Sequence, residues 1–182
     1  MQILLRLSRL IDRANESIGR LASLLVLLMV FVGVWNVIGR YVGQAIGTNL
    51  SSNVFIEAQW YLFSLVFLLG AAYTLKQNEH VRMDVLYSGW PPRRKALADF
   101  IGTLLFLIPF CSIALWFVWS PIVNSWNILE TSPDPGGLPR YPIKTFVLVS
   151  FVLLILQGVS EAIKKWSVFT RLTASEEEGR DG

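Results

Sequence analysis

The chain has 182 residues, of which 53% are hydrophobic and only 16% charged, where an ordinary soluble domain carries about 25% charged residues. This balance excludes a standard soluble globule. The single Cys111 and single His80 exclude a disulfide framework, a thiolate-built zinc or iron–sulfur site and a bis-histidine haem, because each needs several ligands converging on one point.

The formal charge of +3 and pI of about 9.2 come from basic residues clustered between long apolar runs. That arrangement fits an anionic bilayer surface and not a nucleic acid. Residues 3–18 place Ile3, Leu4, Leu7, Leu10, Ile11, Ala14 and Ile18 at helical spacing, with Arg6, Arg9 and Arg13 largely elsewhere. They fit an interfacial amphipathic helix lying on the headgroups, the reading preferred here, or an extension of the first span. Lipid offers no hydrogen bonds to a polar backbone, so spans are helices of roughly 20 apolar residues. Four such runs appear, at about 21–39, 54–75, 96–119 and 145–163. The first, LASLLVLLMVFVGVWNVIG between Arg20 and Arg40, is too long for a signal core and is followed by no small-residue cleavage site. The second opens near Glu57 and runs uncharged to Lys76. The third holds Pro109, whose missing N–H and ring should kink it. Between the third and fourth spans, Pro133, Pro135, Pro139 and Pro142 with Gly136 and Gly137 predict a stiff, turn-rich loop over 120–144. The tail from Ala174, ASEEEGRDG, reads as a solvated end. The expected fold is thus an all-α membrane protein, one domain over 1–182 with four transmembrane helices.

Thirteen of the Lys and Arg residues flank the spans on one side and three, Arg40, Arg140 and Lys144, on the other. The positive side stays in the cytoplasm, so both termini are expected there. Glu57 is the sharpest candidate residue, since a charge at the centre of a span costs about 2.5–3.5 kcal/mol and less near an end. It needs a partner. Arg40 closes the first span on the side where Glu57 opens the second, which suggests an ion-pair clamp; a proton or ion site at Glu57 is the alternative. Asn36, Gln59 and Gln157 read as helix-packing contacts, each worth only about 0.6 kcal/mol. Gly39, Gly43 and Gly47 repeat at spacing four and suit either a close-approach face or a glycine-rich loop start. His80, Arg82 and Asp84 alternate after the second span without the nucleophile or metal partners that catalysis needs. No phosphate-binding G-K-[ST] loop occurs, so ATP hydrolysis is not encoded.

Several stretches together, RYVG at 40–43, EAQWYLFSLVFLLGAAYTLKQNEHVRMDVLY at 57–87, PPRRKALADFIG, GGLPRYPIK and the LQG of the fourth span, resemble the small membrane subunit, DctQ-type, of tripartite ATP-independent periplasmic (TRAP) transporters. The pieces carrying the likeness are Arg40, Glu57 with Gln59, Gly70 with Ala71 and Ala72, and His80 with Arg82 and Asp84. Gln59 stands near where many relatives have a second acidic residue. The resemblance implies a non-enzymatic scaffold in the bacterial inner membrane, with a large DctM-type membrane subunit and a periplasmic DctP-type solute-binding protein as partners. It also implies no cofactor of the chain's own: the sodium gradient that drives uptake of a small organic acid is used by the large subunit. Arg40, Glu57, Gln59, Gly70, His80, Arg82 and Asp84 are then structural or interface residues. A self-sufficient four-span exporter using Glu57 and a membrane anchor of an enzyme complex are the competing readings.

Overall fold

The computed structural model describes residues 2–48, 50–78 and 89–178, with side chains as far as Arg171; His80, Arg82 and Asp84 lie outside the described residues. Most of the described residues are helical: α1 (Gln2–Ile46), α2 (Asn53–Gln77), α3 (Pro92–Gly102), a π-helical turn (Thr103–Leu107), α4 (Ile108–Asn127) and α5 (Tyr141–Glu178). Four stretches, Gln2–Ile46, Asn53–Gln77, Pro92–Asn127 and Tyr141–Arg171, are long and apolar enough to cross a membrane. The all-α, four-span expectation holds.

The N-terminal segment is not a separate interfacial helix. Residues 2–46 form one continuous α1, the extension of the first span that was the other reading of this segment, and its packed face carries mostly small and polar side chains. Ser8, Ile11, Asn15, Ala22 and Asn36 are buried, whereas Ile3, Leu7, Leu10, Leu24 and Phe31 are exposed. Lipid is as apolar as leucine, so large side chains gain nothing by turning inward, and helices associate through small residues and hydrogen bonds. The buried apolar set follows the same rule: Ala22, Ala72, Ala96, Cys111 and Ala162 are among its few members.

Proline effects are absorbed locally in the third span. Just before Pro109 the helix widens into the π turn, where the Ile108 N–H bonds the Thr103 carbonyl five residues back. The wider turn accommodates a residue with no N–H of its own. Gly158 of α5 lies against this turn; a Cβ there would stand 3.2 Å from Leu107 Cδ2 and 3.4 Å from Ile108 Cγ1. Pro121 sits inside α4, which continues to Asn127, so the expected loop over 120–144 shrinks to 128–140 between α4 and α5.

The elements build two compact units: residues 1–16, 72–114 and 151–182 in one, and residues 17–71 and 115–150 in the other. In the second unit α1 ends at Gly47, whose φ of +74° suits glycine. The returning chain then lies on Gly39 and Gly43: Thr48 donates to the Gly43 carbonyl at 2.9 Å, and the Leu50 carbonyl comes within 3.1 Å of where a Gly39 Cβ would be. The glycine repeat thus serves both readings, a close-approach face and a turn.

Candidate functional site

The loop over 128–140 in the second unit is a closed hairpin-like cap. Thr131 and Pro139 form an antiparallel bridge, Ser132 N–H donates to the Leu138 carbonyl at 3.1 Å, Arg140 N–H to the Glu130 carbonyl at 2.7 Å, and Gly137 N–H to the Asp134 carbonyl at 3.0 Å. Gly136 at the turn has φ +71°, a conformation that favours glycine.

Glu57 is the anchor of this cap. It is only 2% exposed, and its two carboxylate oxygens accept separately from the Ser132 hydroxyl and the Leu138 backbone N–H. Charge-assisted bonds of this kind are the strong ones. Gly137 makes the approach feasible, because a Cβ on it would meet the Ser132 side chain and stand 2.9 Å from Glu57 Oε1. Further along α2, the Tyr61 hydroxyl donates to the Pro139 carbonyl at 3.0 Å, while Asn53 Nδ2 reaches the Pro135 carbonyl at 3.2 Å.

The expected Arg40–Glu57 ion pair is absent among the described residues. Arg40 is exposed, and Glu57 is held instead by Ser132 and the Leu138 backbone. Gln59, two residues on, points away from Glu57 as helical geometry requires, and its amide abuts Gly33 of α1. Asn36 accepts from Ser51 at 2.7 Å. A Cβ on Gly70 would meet nothing within 4 Å, so close approach of this chain to itself is not what that glycine serves.

At the base of the loop, Lys144 pairs with Glu130, Ser125 donates to the same carboxylate at 2.6 Å, and Trp126 Nε1 donates to Thr145 at 2.9 Å. The Lys144 and Ser125 bonds hold the Glu130 carboxyl below its ordinary value of 4.5. A depressed carboxylate contributes stability above its unfolded pKa and loses it as pH falls through the folded one. The melting-temperature difference between the wild type and Glu130→Gln should therefore be constant down to about pH 4.5 and vanish at lower pH, measured in one detergent across both ranges.

A second polar constellation occupies the first unit, and only its Gln157 was singled out by sequence. Gln157, fully buried, donates to Asp12 at 2.9 Å and to Glu161 at 3.1 Å, and accepts from Asn15 Nδ2 at 2.7 Å. Lys164 bridges the two carboxylates, 2.8 Å from Asp12 and 2.7 Å from Glu161. Ser160 donates to Asp12 at 2.9 Å, which leaves Ser8 as the donor in their 2.7 Å contact. Lys76–Glu16 at 2.8 Å and Lys165–Asp99 at 2.7 Å flank this cluster in sequence. The available signal was the spacing: Ser8, Asp12 and Asn15 form one stripe, and Gln157, Ser160, Glu161 and Lys164 another. Among the described residues no group of three or more His, Cys, Asp or Glu side chains is placed to hold a metal.

Both constellations bind helix to helix or helix to loop through hydrogen bonds and ion pairs, with Asn15 Oδ1 left without a partner among the described residues. Residues 29–168 match the family described as the DctQ component of tripartite ATP-independent periplasmic transporters. The chain is also similar to a protein of Haemophilus influenzae named provisionally as a TRAP transporter small permease protein, with 30% identity over 150 residues that cover 81% of this chain and 88% of that protein. No solved structure matches. With four membrane-spanning helices and this match across most of its length, the chain belongs to the DctQ family of TRAP transporter small subunits.

Proposed function

We propose that this subunit is a fixed brace: it sits in the bacterial inner membrane with both termini cytoplasmic and supports the large DctM-type subunit, which carries the substrate and sodium sites and performs the movement. The DctP-type periplasmic protein delivers the solute, a small organic acid. The exposed loop residues around 133–136 then face the compartment of that protein, and the thirteen-to-three charge bias orients the chain. In this reading Arg40, Gln59, Gly70, His80, Arg82 and Asp84 serve interfaces, and the chain holds no cofactor.

The observation that carries the proposal is the commitment of Glu57. A proton-coupled exporter needs a carboxylate that a solute can reach and that can exchange its proton. Glu57 is almost fully buried and holds loop atoms with both oxygens. The decisive experiment reconstitutes proteoliposomes with the large subunit and the binding protein, with and without this chain. Uptake should require all three proteins and a sodium gradient, and the chain alone should transport nothing. Transport by the chain alone, or full uptake without it, overturns the brace. Topology is checked in intact cells: Asp134→Cys should label from outside, and Gly89→Cys only after the inner membrane is permeabilised.

A further inference from the structure

A groove of about 360 Å³ opens at the surface of the second unit, lined by Gly33, Val34, Val37 and Ile38 of α1 and by Gln59 of α2. A Cβ on Gly33 would collide with the Gln59 amide nitrogen, so the glycine is what lets the amide lie against α1. Of the three span amides that the sequence marks, Asn36 is bonded by Ser51, and Gln157 bonds Asn15, Asp12 and Glu161. Gln59 differs: it makes no hydrogen bond among the described residues. Gly33 precedes Arg40 by seven residues, which sets it about 10 Å deeper than the arginine that closes the span. Hydrocarbon at that depth offers an amide nothing to bond, and an unpaired polar group there is costly. The α1 wall of the groove continues outward as one stripe, since Gly33, Val37 and Arg40 share a face of the helix. Val37 and Arg40 are both exposed.

We propose that this groove is the docking seam for a transmembrane helix of the large subunit, one that brings a small residue to Gly33, a hydrogen-bonding side chain to Gln59 and an acidic group to Arg40. A brace needs a fixed contact inside the membrane, so the seam rests on that reading and gives it a location. Helices in lipid associate through small residues, which let backbones approach, and through hydrogen bonds between helices. The groove offers one of each, side by side. An acyl chain could fill it but has no group for the amide. A second copy related by a two-fold axis along the membrane normal would set Arg40 against its own counterpart, and like charges so placed oppose association. A helix of different sequence answers all three features.

The test uses the two full-length membrane subunits together, in membranes and then in detergent. With the photoreactive amino acid benzoylphenylalanine in place of Val37, irradiation should join this chain to the large subunit. Gln59→Leu breaks no bond within this chain, so the isolated variant should melt like the wild type while its affinity for the large subunit falls about threefold, the effect of one average intramembrane hydrogen bond. Val37→Trp fills the groove from an exposed position and should weaken association about tenfold, the scale of an overpacked contact. Adducts with lipid or with a second copy, and none with the large subunit, overturn the seam. So does unchanged affinity in either variant, or a lower melting temperature of isolated Gln59→Leu, which would assign the amide to this chain's own packing. Sodium-driven uptake that needs this chain yet withstands both substitutions sinks the seam and leaves the brace, whereas full uptake without the chain removes the brace and the seam with it.

Discussion

Glu57→Ala should free the 131–139 cap and cost about 3 kcal/mol, because it strips the carboxylate from two charge-assisted hydrogen bonds, each worth about 1.5–3 kcal/mol, with water recovering part of the loss. Limited proteolysis at the Asp134–Gly137 turn reads the release directly, and co-purification with the large subunit should fall with it. Glu57→Gln separates geometry from charge. Its carbonyl oxygen can accept from the Leu138 N–H while its amide donates to Ser132, whose hydroxyl turns to accept. The cap should therefore survive in the glutamine variant, with assembly near wild type. If Glu57→Gln loses uptake while the loop stays protected, the negative charge itself has a role and the purely structural reading of Glu57 fails. If Glu57→Ala leaves the turn as protease-resistant as the wild type, the anchor described here is wrong.

Gln157 should be the most sensitive position of the first unit. Gln157→Leu removes three hydrogen bonds, and at the membrane average of about 0.6 kcal/mol each the loss is about 2 kcal/mol. Gln157→Glu should be worse. It sets a third carboxylate beside Asp12 and Glu161 with Lys164 as their shared cation, and replaces a donor with an acceptor at both contacts. Asp12→Asn combined with Gln157→Glu restores the original charge balance and supplies a new amide donor, so it should recover part of the stability lost by Gln157→Glu alone. Chemical denaturation in a fixed detergent measures all three, and a double variant no better than Gln157→Glu rules out the charge-balance account.

The four spans were legible because the bilayer imposes a rule that composition alone can report: a length of apolar chain with its charges at the ends. Glu57 was legible for the same reason, as a charge where the rule forbids one. Its partners were not. Ser132 and Leu138 lie 75 and 81 residues away and bind through a hydroxyl and a backbone N–H, neither of which marks a sequence, whereas Arg40 advertised itself by its sign. The α1 stripe was legible as an apolar face, but its spacing does not distinguish a helix lying on the headgroups from one that continues into the first span; the contacts are made by Ser8, Asp12 and Asn15, which the apolar pattern does not mark. The loop start at 120 falls too early for a related reason: α4 runs through Pro121 to Asn127, because a proline is tolerated in a span.

The outward display of Leu7, Leu10, Leu24 and Phe31 on α1 has a practical corollary for handling this subunit. Exchanging native lipid for a mild detergent replaces one hydrocarbon coat with another and leaves the serine, asparagine and glutamine seams alone, while urea competes for those seams directly. Resistance to solubilisation and resistance to chaotropes are therefore separate properties of this chain, governed by different faces of the same helices.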